Sequence, residues 1–325
     1  MNPICSRPFS FVAALMIMGL ATSPIACAES YPARPLRVIV PFAPGGATDV
    51  VARIIVQELS RQLAQPLYIE NIAGASGNIG TARAARAAPD GYTVLFAYSS
   101  YVTNPFIFEK IPYDPSKDFA PVTLMVTSPA VLSVHPSVPA RTVRDLVALI
   151  KASPGKLNYA SGGTGTQPHL AAEQFRLATG LDLVHVPFNG GGPALISVVG
   201  GHTPIGFTTL SPTVPYIKAG KLRGLAVTSK ARAVPYVATM KEAGYPGIDG
   251  DTWVGVLVSA GTDDHIVTVL NREIVKVLNV PAVKERLVDQ GYETVGNTAG
   301  EYAAQLRSEL AKWAKVIHLA GIKPQ

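Results

Sequence analysis

The residues with chemistry to offer sit in short loops rich in glycine and hydroxyls. The first is Phe42-Ala43-Pro44-Gly45-Gly46-Ala47-Thr48-Asp49. A second is Ser161-Gly162-Gly163-Thr164-Gly165-Thr166, with His169 just beyond it. Asn189-Gly190-Gly191 and Thr208-Thr209 are of the same kind, as are Gly74–Gly77 and Tyr98-Ser99-Ser100. Each follows an apolar strand-like run, and most precede a helical pattern. A glycine turn beneath a helix start leaves backbone N–H groups free, and the helix dipole adds partial positive charge there. Such a loop attracts an anion without a cationic side chain. Thr48 or Asp49 can cap or charge-match the first turn. A single loop of this outline also serves as a plain strand-to-helix turn. It is the recurrence along the chain that points to an anion site.

Enzyme chemistry is thinly represented. Gly74-Ala75-Ser76-Gly77-Asn78 misses the G-x-S-x-G elbow by one residue, and Gly163 to Pro168 misses G-x-G-x-x-G at its end. Neither Gly155-Lys156 nor Gly220-Lys221 has the upstream glycine of a P-loop. The six histidines show no metal-ligand spacing, and only His169 lies near the loops. It either touches ligand or caps its helix. No cofactor is expected. The alternative function is an exported hydrolase using Ser76 or Ser99 on a small ester. It requires a histidine base within hydrogen-bond reach of one of these serines.

The elements that position the loops alternate as strand and helix. Leu36–Val40, Leu67–Glu70 and Tyr92–Ala97 read as strands, separated by helices over Thr48–Leu63 and up to about Ala87. This βαβαβ order predicts a parallel sheet. Pro121–Val126 and Ala130–Val134 flank Thr127-Ser128-Pro129, which reads as a crossing into a second domain. A second series follows, with strands at Leu157–Ala160, Leu183–Val186, Ile205–Thr208 and Leu222–Thr228. Gly247 to Asp251 is the return crossing, and Trp253–Ser259 rejoins the first sheet. Two long helices close the chain, the last with a capping box at Thr298 and Glu301. Domain 1 is thus 29–127 with 252–325, and domain 2 is 128–251. A cleft between two such lobes is a natural ligand site.

Residues 1–28 have the charged, apolar, small-residue order of a secretory signal peptide, with cleavage expected after Ala28. Lipoprotein processing at Cys27 is the rival reading. The only two cysteines, Cys5 and Cys27, both lie in this segment, so an exported chain lacks disulfide and thiolate chemistry. The full chain has 28 Lys+Arg and 22 Asp+Glu, a formal charge of +6. The cations are scattered rather than clustered, which argues against a nucleic-acid partner. A mild positive field concentrates small anions.

Val40 to Asp49 resembles the first signature of the Bug (TctC-like) solute-binding proteins of tripartite tricarboxylate transporters. Glu70 to Gly80, Tyr159 to His169, His185 to Pro193 with Gly200-Gly201, Gly220 to Thr228, and Ala320 to Lys323 match further signatures. The resemblance implies an α/β fold of the type II periplasmic binding kind, with two βα lobes joined by a two-crossing hinge. It implies a monomeric periplasmic receptor that closes on a di-, tri- or aromatic carboxylate and delivers it to membrane permease subunits. The Phe42–Asp49 and Ser161–Thr166 loops would hold the carboxylate. The ligand-binding set read here is Phe42, Ala43, Gly45, Gly46, Ala47, Thr48, Asp49 and Ser99 from domain 1. Domain 2 adds Ser161, Gly162, Thr164, Gly165, Thr166, His169, Asn189, Gly190 and Thr208. Two positions depart from the family pattern: Pro204 and Thr208 stand where many members carry Asp. An Asp at 208 would suit a ligand amino group, so Thr208 weakens an amino-acid reading.

Overall fold

The computed structural model describes residues 31–319 and 324. The signal segment with its cleavage point, Cys5, Cys27 and the Ala320–Lys323 signature lie outside the described residues.

The strands are, in chain order, β1 (Leu36–Val40), β2 (Leu67–Asn71), β3 (Thr93–Tyr98), β4 (Phe119–Ser128), β5 (Ala130–Val134) and β6 (Asn158–Ser161). They continue with β7 (Val184–Pro187), β8 (Ile205–Thr209), β9 (Arg223–Val227), β10 (Thr252–Ser259) and β11 (Glu293–Thr294). They form two sheets, ordered β11-β4-β10-β3-β1-β2 and β7-β6-β8-β5-β9. β1 pairs in parallel with both β2 and β3, as the βαβαβ order predicts. β10 returns antiparallel between β3 and β4.

Each sheet is buried on both faces, so its strands carry apolar residues at both parities. In the first sheet Val38, Val40, Phe96 and Val256 point to one face. That face is covered by helices Ala47–Leu63, Asp264–Leu278 and Pro281–Asp289 through Val51, Ile55, Ile274 and Leu287. Ile39, Leu95 and Leu257 point the other way, toward Tyr302, Leu306 and Trp313 of helix Ala299–Leu319. The second sheet repeats the plan. Leu132 and Phe207 meet helices Val143–Ala152 and Gln167–Thr179, while Val131 meets helices Gly191–Val199 and Leu210–Lys218. These are two three-layer α/β lobes, each with its own core.

The chain passes between the lobes twice, side by side. β4 runs through Pro129 directly into β5 of the other sheet. On the return, Thr252 pairs with Ser128, and its hydroxyl donates to the Ser128 carbonyl at 3.0 Å. The Thr228 N–H donates to the Ala130 carbonyl at 3.0 Å. Two adjacent extended crossings give one bending line.

The expected capping box is present: Glu301 N–H donates to Thr298 Oγ1 at 3.2 Å, and Thr298 N–H to the Glu301 carboxylate at 2.9 Å. Three helices are additions to the sequence reading: the single turn Asn104–Ile107 and two longer ones. Leu210–Lys218 contains Pro212 and Pro215, which break a helical pattern on paper. Pro212 falls in the first turn, where N–H groups lack intrahelical partners, and burial of Leu210, Val214 and Ile217 outweighs the loss at Pro215. Pro281–Asp289 is short and starts on its proline, a favourable first helical residue.

Candidate functional site

The site lies where the carboxyl ends of the strands in both lobes face each other. Helix Ala47–Leu63 approaches from the first lobe. Helices Gln167–Thr179, Gly191–Val199 and Leu210–Lys218 approach from the second. Their N-cap residues are Gly46, Thr166, Gly190 and Thr209, and none of the four makes a side-chain capping bond. Helices that start elsewhere can be closed off. Thr142 caps Val143–Ala152 with a full capping box, and Asp263 caps Asp264–Leu278. Four helix starts without side-chain caps bring partial positive charge to one cleft. At the Thr209 start, however, the Leu210 N–H is already taken by the Pro129 carbonyl at 2.8 Å, and Pro212 has none to offer.

The first loop is shaped to leave its N–H groups open. Gly45 takes a left-handed φ of +81°, which a glycine adopts without strain. The Gly45 N–H turns back to the Asp49 carboxylate at 2.9 Å. Asp49 also accepts from Arg53 at 2.8 Å and from Asn71 at 3.1 Å. Burial pushes the Asp49 carboxyl up, but the bonds from Arg53, Gly45 and Asn71 outweigh it and hold it below the usual range. Asp49 is therefore a charged, fully engaged strut. Among the described residues, no protein acceptor meets the N–H groups of Gly46, Ala47 or Thr48.

The second loop is braced by imidazoles. The Gly165 N–H donates to His169 Nδ1 at 3.1 Å, which fixes that nitrogen as an acceptor. Ser161 Oγ lies 2.7 Å from His185 Nε2, and the two imidazole rings are 4.2 Å apart. Burial pushes the His169 pKa down to about 4. Burial, and then its neighbour His169, push His185 down to about 3. Both rings are neutral at physiological pH. The Thr166 hydroxyl donates to the Gly163 carbonyl at 2.8 Å, keeping the loop closed on itself.

Between the lobes lies a cavity of about 20 Å3, room for roughly one water molecule. The first lobe contributes Phe42, Gly46, Ala47, Thr48 and Tyr98 to its wall. The second contributes Gly162, Thr166, Pro168, Gly191, Thr208 and Thr209. Among the described residues, no charged side chain lines it. The Phe42 and Tyr98 rings meet edge to face at 5.2 Å and form its apolar side. The lobes are drawn together by direct bonds across the cleft. Tyr98 Oη and Thr209 Oγ1 are 2.7 Å apart, Thr103 Oγ1 donates to the Gly165 carbonyl at 2.6 Å, and Ser76 Oγ donates to the Thr164 carbonyl. The Ala43 N–H donates to the Asn189 carbonyl at 3.3 Å. The backbones touch where glycines face one another: a Cβ on Gly192 would stand 2.2 Å from the Pro44 carbonyl oxygen.

Of the residues the sequence singles out, Phe42, Gly46, Ala47, Thr48, Gly162, Thr166 and Thr208 line this cavity. Ala43 and Asn189 join the lobes just behind it. Gly45 and Asp49 shape the first loop, while Ser161, Gly165 and His169 shape the second. Thr164 and Ser99 take part in cross-cleft bonds, and Gly190 holds a φ of +125° against Phe42 and Ala43. Tyr98, Pro168, Gly191 and Thr209 are the lining residues missing from the sequence-based set. Each is adjacent to a residue in that set, and each lies at a strand end or helix start, which is the signal that marks them.

A two-lobed α/β fold with a two-strand crossing, and a cleft of uncapped helix starts between the lobes, defines a type II periplasmic binding protein. The profile of the tripartite tricarboxylate transporter family receptor (TctC) matches residues 51–322, and the chain belongs to this family. Protein BugT of Bordetella pertussis (strain Tohama I) is 37% identical over 318 residues, covering 95% of this chain and 98% of BugT. An R. palustris protein solved with adipate superposes with a TM-score of 0.87 at 34% identity, covering 91% of this chain and all of that one. MatC from Rhodopseudomonas palustris, solved with bound malate, gives 0.82 at 32%, covering 88% and 100%.

Members of this family are solute-binding receptors, not enzymes. The geometry agrees with that. Ser76 Oγ donates to a carbonyl and Ser99 Oγ to Gln167, so neither is paired with a histidine base among the described residues. Ser161 does have one, but it is fully buried and its partner His185 is too weakly basic to serve.

Proposed function

We propose that this protein is the extracytoplasmic receptor for a small carboxylate, and that an aliphatic dicarboxylate is the ligand class. The observation that supports this most strongly is the set of four uncapped helix starts around a cleft lined by no charged side chain. One carboxylate would be met by the N–H groups of Gly46, Ala47 and Thr48. The helix starts at Thr166 and Gly190 would meet the rest of the anion. Phe42, Tyr98 and Pro168 offer apolar contact to the methylenes between two carboxylates. Adipate and malate, bound by the two solved relatives, are both of this class.

The remaining residues of the set would support this site, Gly162 and Thr208 from its wall and Ala43, Gly45, Asp49, Ser99, Ser161, Thr164, Gly165, His169, Asn189 and Gly190 from behind it. Thr208 bonds to Thr213 at 2.9 Å and offers no carboxylate to an ammonium group. Residues 29–127 with 252–325 would move as one lobe and 128–251 as the other, about the crossings at Thr127–Pro129 and Gly247–Asp251. The present cavity is far too small for a six-carbon diacid, so ligand entry requires that movement. Export through the segment ending near Ala28 would place the receptor in the periplasm. There it would deliver its ligand to the permease of a tripartite tricarboxylate-type transporter.

A thermal-shift screen of mono-, di-, tri- and aromatic carboxylates tests the reading. A dicarboxylate at 100 times its dissociation constant should stabilise the protein by about 2.7 kcal/mol. Stabilisation by amino acids alone, or by no carboxylate, would refute it.

A further inference from the structure

A second cavity, of about 230 Å3, lies behind the crossing strands and shares no residue with the ligand cleft. Pro129, the residue at which the chain changes sheets, forms part of its wall. Lys230 and Arg232 enter from the second lobe, just after β9. Lys284 enters from helix Pro281–Asp289 of the first lobe, with Tyr292 and Glu293 beside it. Lys230 has an exposed partner, Glu242, at 3.3 Å, a weak pairing in water. Among the described residues, Arg232 and Lys284 have no ion-pair partner. Glu293 is the one carboxylate in the wall, so the cavity keeps a net positive charge.

Cations from two lobes lining one hollow give it a positive potential that favours an anion. An arginine fork with ammonium groups suits the oxygens of a phosphate. We infer that this hinge cavity is a second anion site, taking a phosphate dianion between Arg232 and Lys284. Its position links it to the cleft. Tyr292 forms part of its wall, and the Tyr292 hydroxyl donates to the Ala47 carbonyl at 2.7 Å. Ala47 begins the helix whose N–H groups face the cleft. An anion held between cations of opposite lobes therefore acts on the bending line itself.

The test is a titration of the full chain with inorganic phosphate and, separately, with glycerol phosphate, read by 31P line broadening. The Arg232→Gln/Lys284→Gln variant is run in parallel. Both side chains are exposed, so the far-UV spectrum should not change. Saturable binding of either probe, weakened about tenfold or more in the double variant, is the expected result. The probe that binds more tightly separates free phosphate from a phosphate ester as the source. Absence of saturable binding, or equal binding by the variant, overturns the assignment.

Discussion

Gln167 and Ser99 bind each other twice across the cleft. The Gln167 side-chain N–H donates to the Ser99 carbonyl at 2.9 Å, and Ser99 Oγ donates to Gln167 Oε1. Ser99 follows β3 of the first lobe, and Gln167 is the first residue of a second-lobe helix whose start borders the cavity. Both are almost fully buried. The pair exists only while the lobes are together, so it is a latch on the closed form. With Tyr98–Thr209 and Thr103–Gly165 it makes closure a property of the protein as well as of its ligand.

Gln167→Ala should therefore favour the open form. When the lobes part, water satisfies the Ser99 groups, so little folding stability is lost. The closed form loses two hydrogen bonds, about 1–3 kcal/mol. Carboxylate affinity should fall by up to roughly a hundredfold. Small-angle scattering should show a larger radius of gyration than wild type without ligand, with compaction at a saturating concentration of the carboxylate that stabilises the wild type best. An unchanged radius in both conditions would contradict the latch.

Gly192→Ala should separate binding from folding. Its Cβ would stand 2.2 Å from the Pro44 carbonyl, a backbone atom of the opposite lobe that cannot move aside. Parting the lobes relieves the clash, and alanine favours the helix Gly191–Val199 that carries it. The melting temperature without ligand should hold or rise slightly. If closure becomes about a hundredfold rarer, apparent affinity drops about a hundredfold. Calorimetry alongside thermal denaturation distinguishes this from a folding defect, in which both would fall.

Acid should weaken the fold through the histidine pair. His169 and His185 have folded pKa values near 4 and 3, both below the ordinary 6.5. Between these values the unfolded chain binds more protons than the folded one, so stability rises with pH in that window. The contribution is fully present above about pH 6.5. It is lost as pH falls toward 4 and then 3. The loss is on the order of a few kcal/mol. Asp49 adds to it only below the usual carboxylate range. Melting temperature measured from pH 7.5 to 4 should fall, and His185→Gln should flatten the curve. An unchanged slope in that variant would show that the imidazoles are not the cause.

Thr208→Asp should abolish carboxylate binding. The new carboxylate would sit in the cavity wall among the helix starts and occupy the positive potential meant for the ligand. Calorimetry with the carboxylate that stabilises the wild type best should show no heat of binding to the variant, while the far-UV spectrum stays as wild type. Retained binding of that carboxylate would show that position 208 does not face the anion.

The sequence made much of this site legible, because the physics is local. A strand, a glycine turn and a helix start read directly from Val38 to Leu59. The lobe crossings were visible as β-branched runs flanking Pro129. Features that depend on distant residues were not visible. Asp49 reads as a helix-start acid, yet its carboxylate turns back to the Gly45 N–H. His169 reads as a ligand contact or a cap; that it accepts from the Gly165 N–H, with the sequence-remote His185 packed against its ring, is not written in its neighbours. Tyr98 gains its place from Phe42 and Thr209, which are remote in sequence. The helix at Leu210 was hidden by its prolines, whose cost is offset by tertiary burial.

If backbone N–H groups, not cationic side chains, hold the anion, a 15N-resolved titration of the protein with the carboxylate that stabilises it best in the thermal-shift screen reads this at the atoms concerned. Saturable movement of the Gly46, Ala47 and Thr48 amide signals, with their protons shifting downfield as hydrogen bonds form, is the predicted result. Saturable binding that leaves those amides in place and moves only lysine or arginine side-chain signals would show that side-chain charge holds the anion instead.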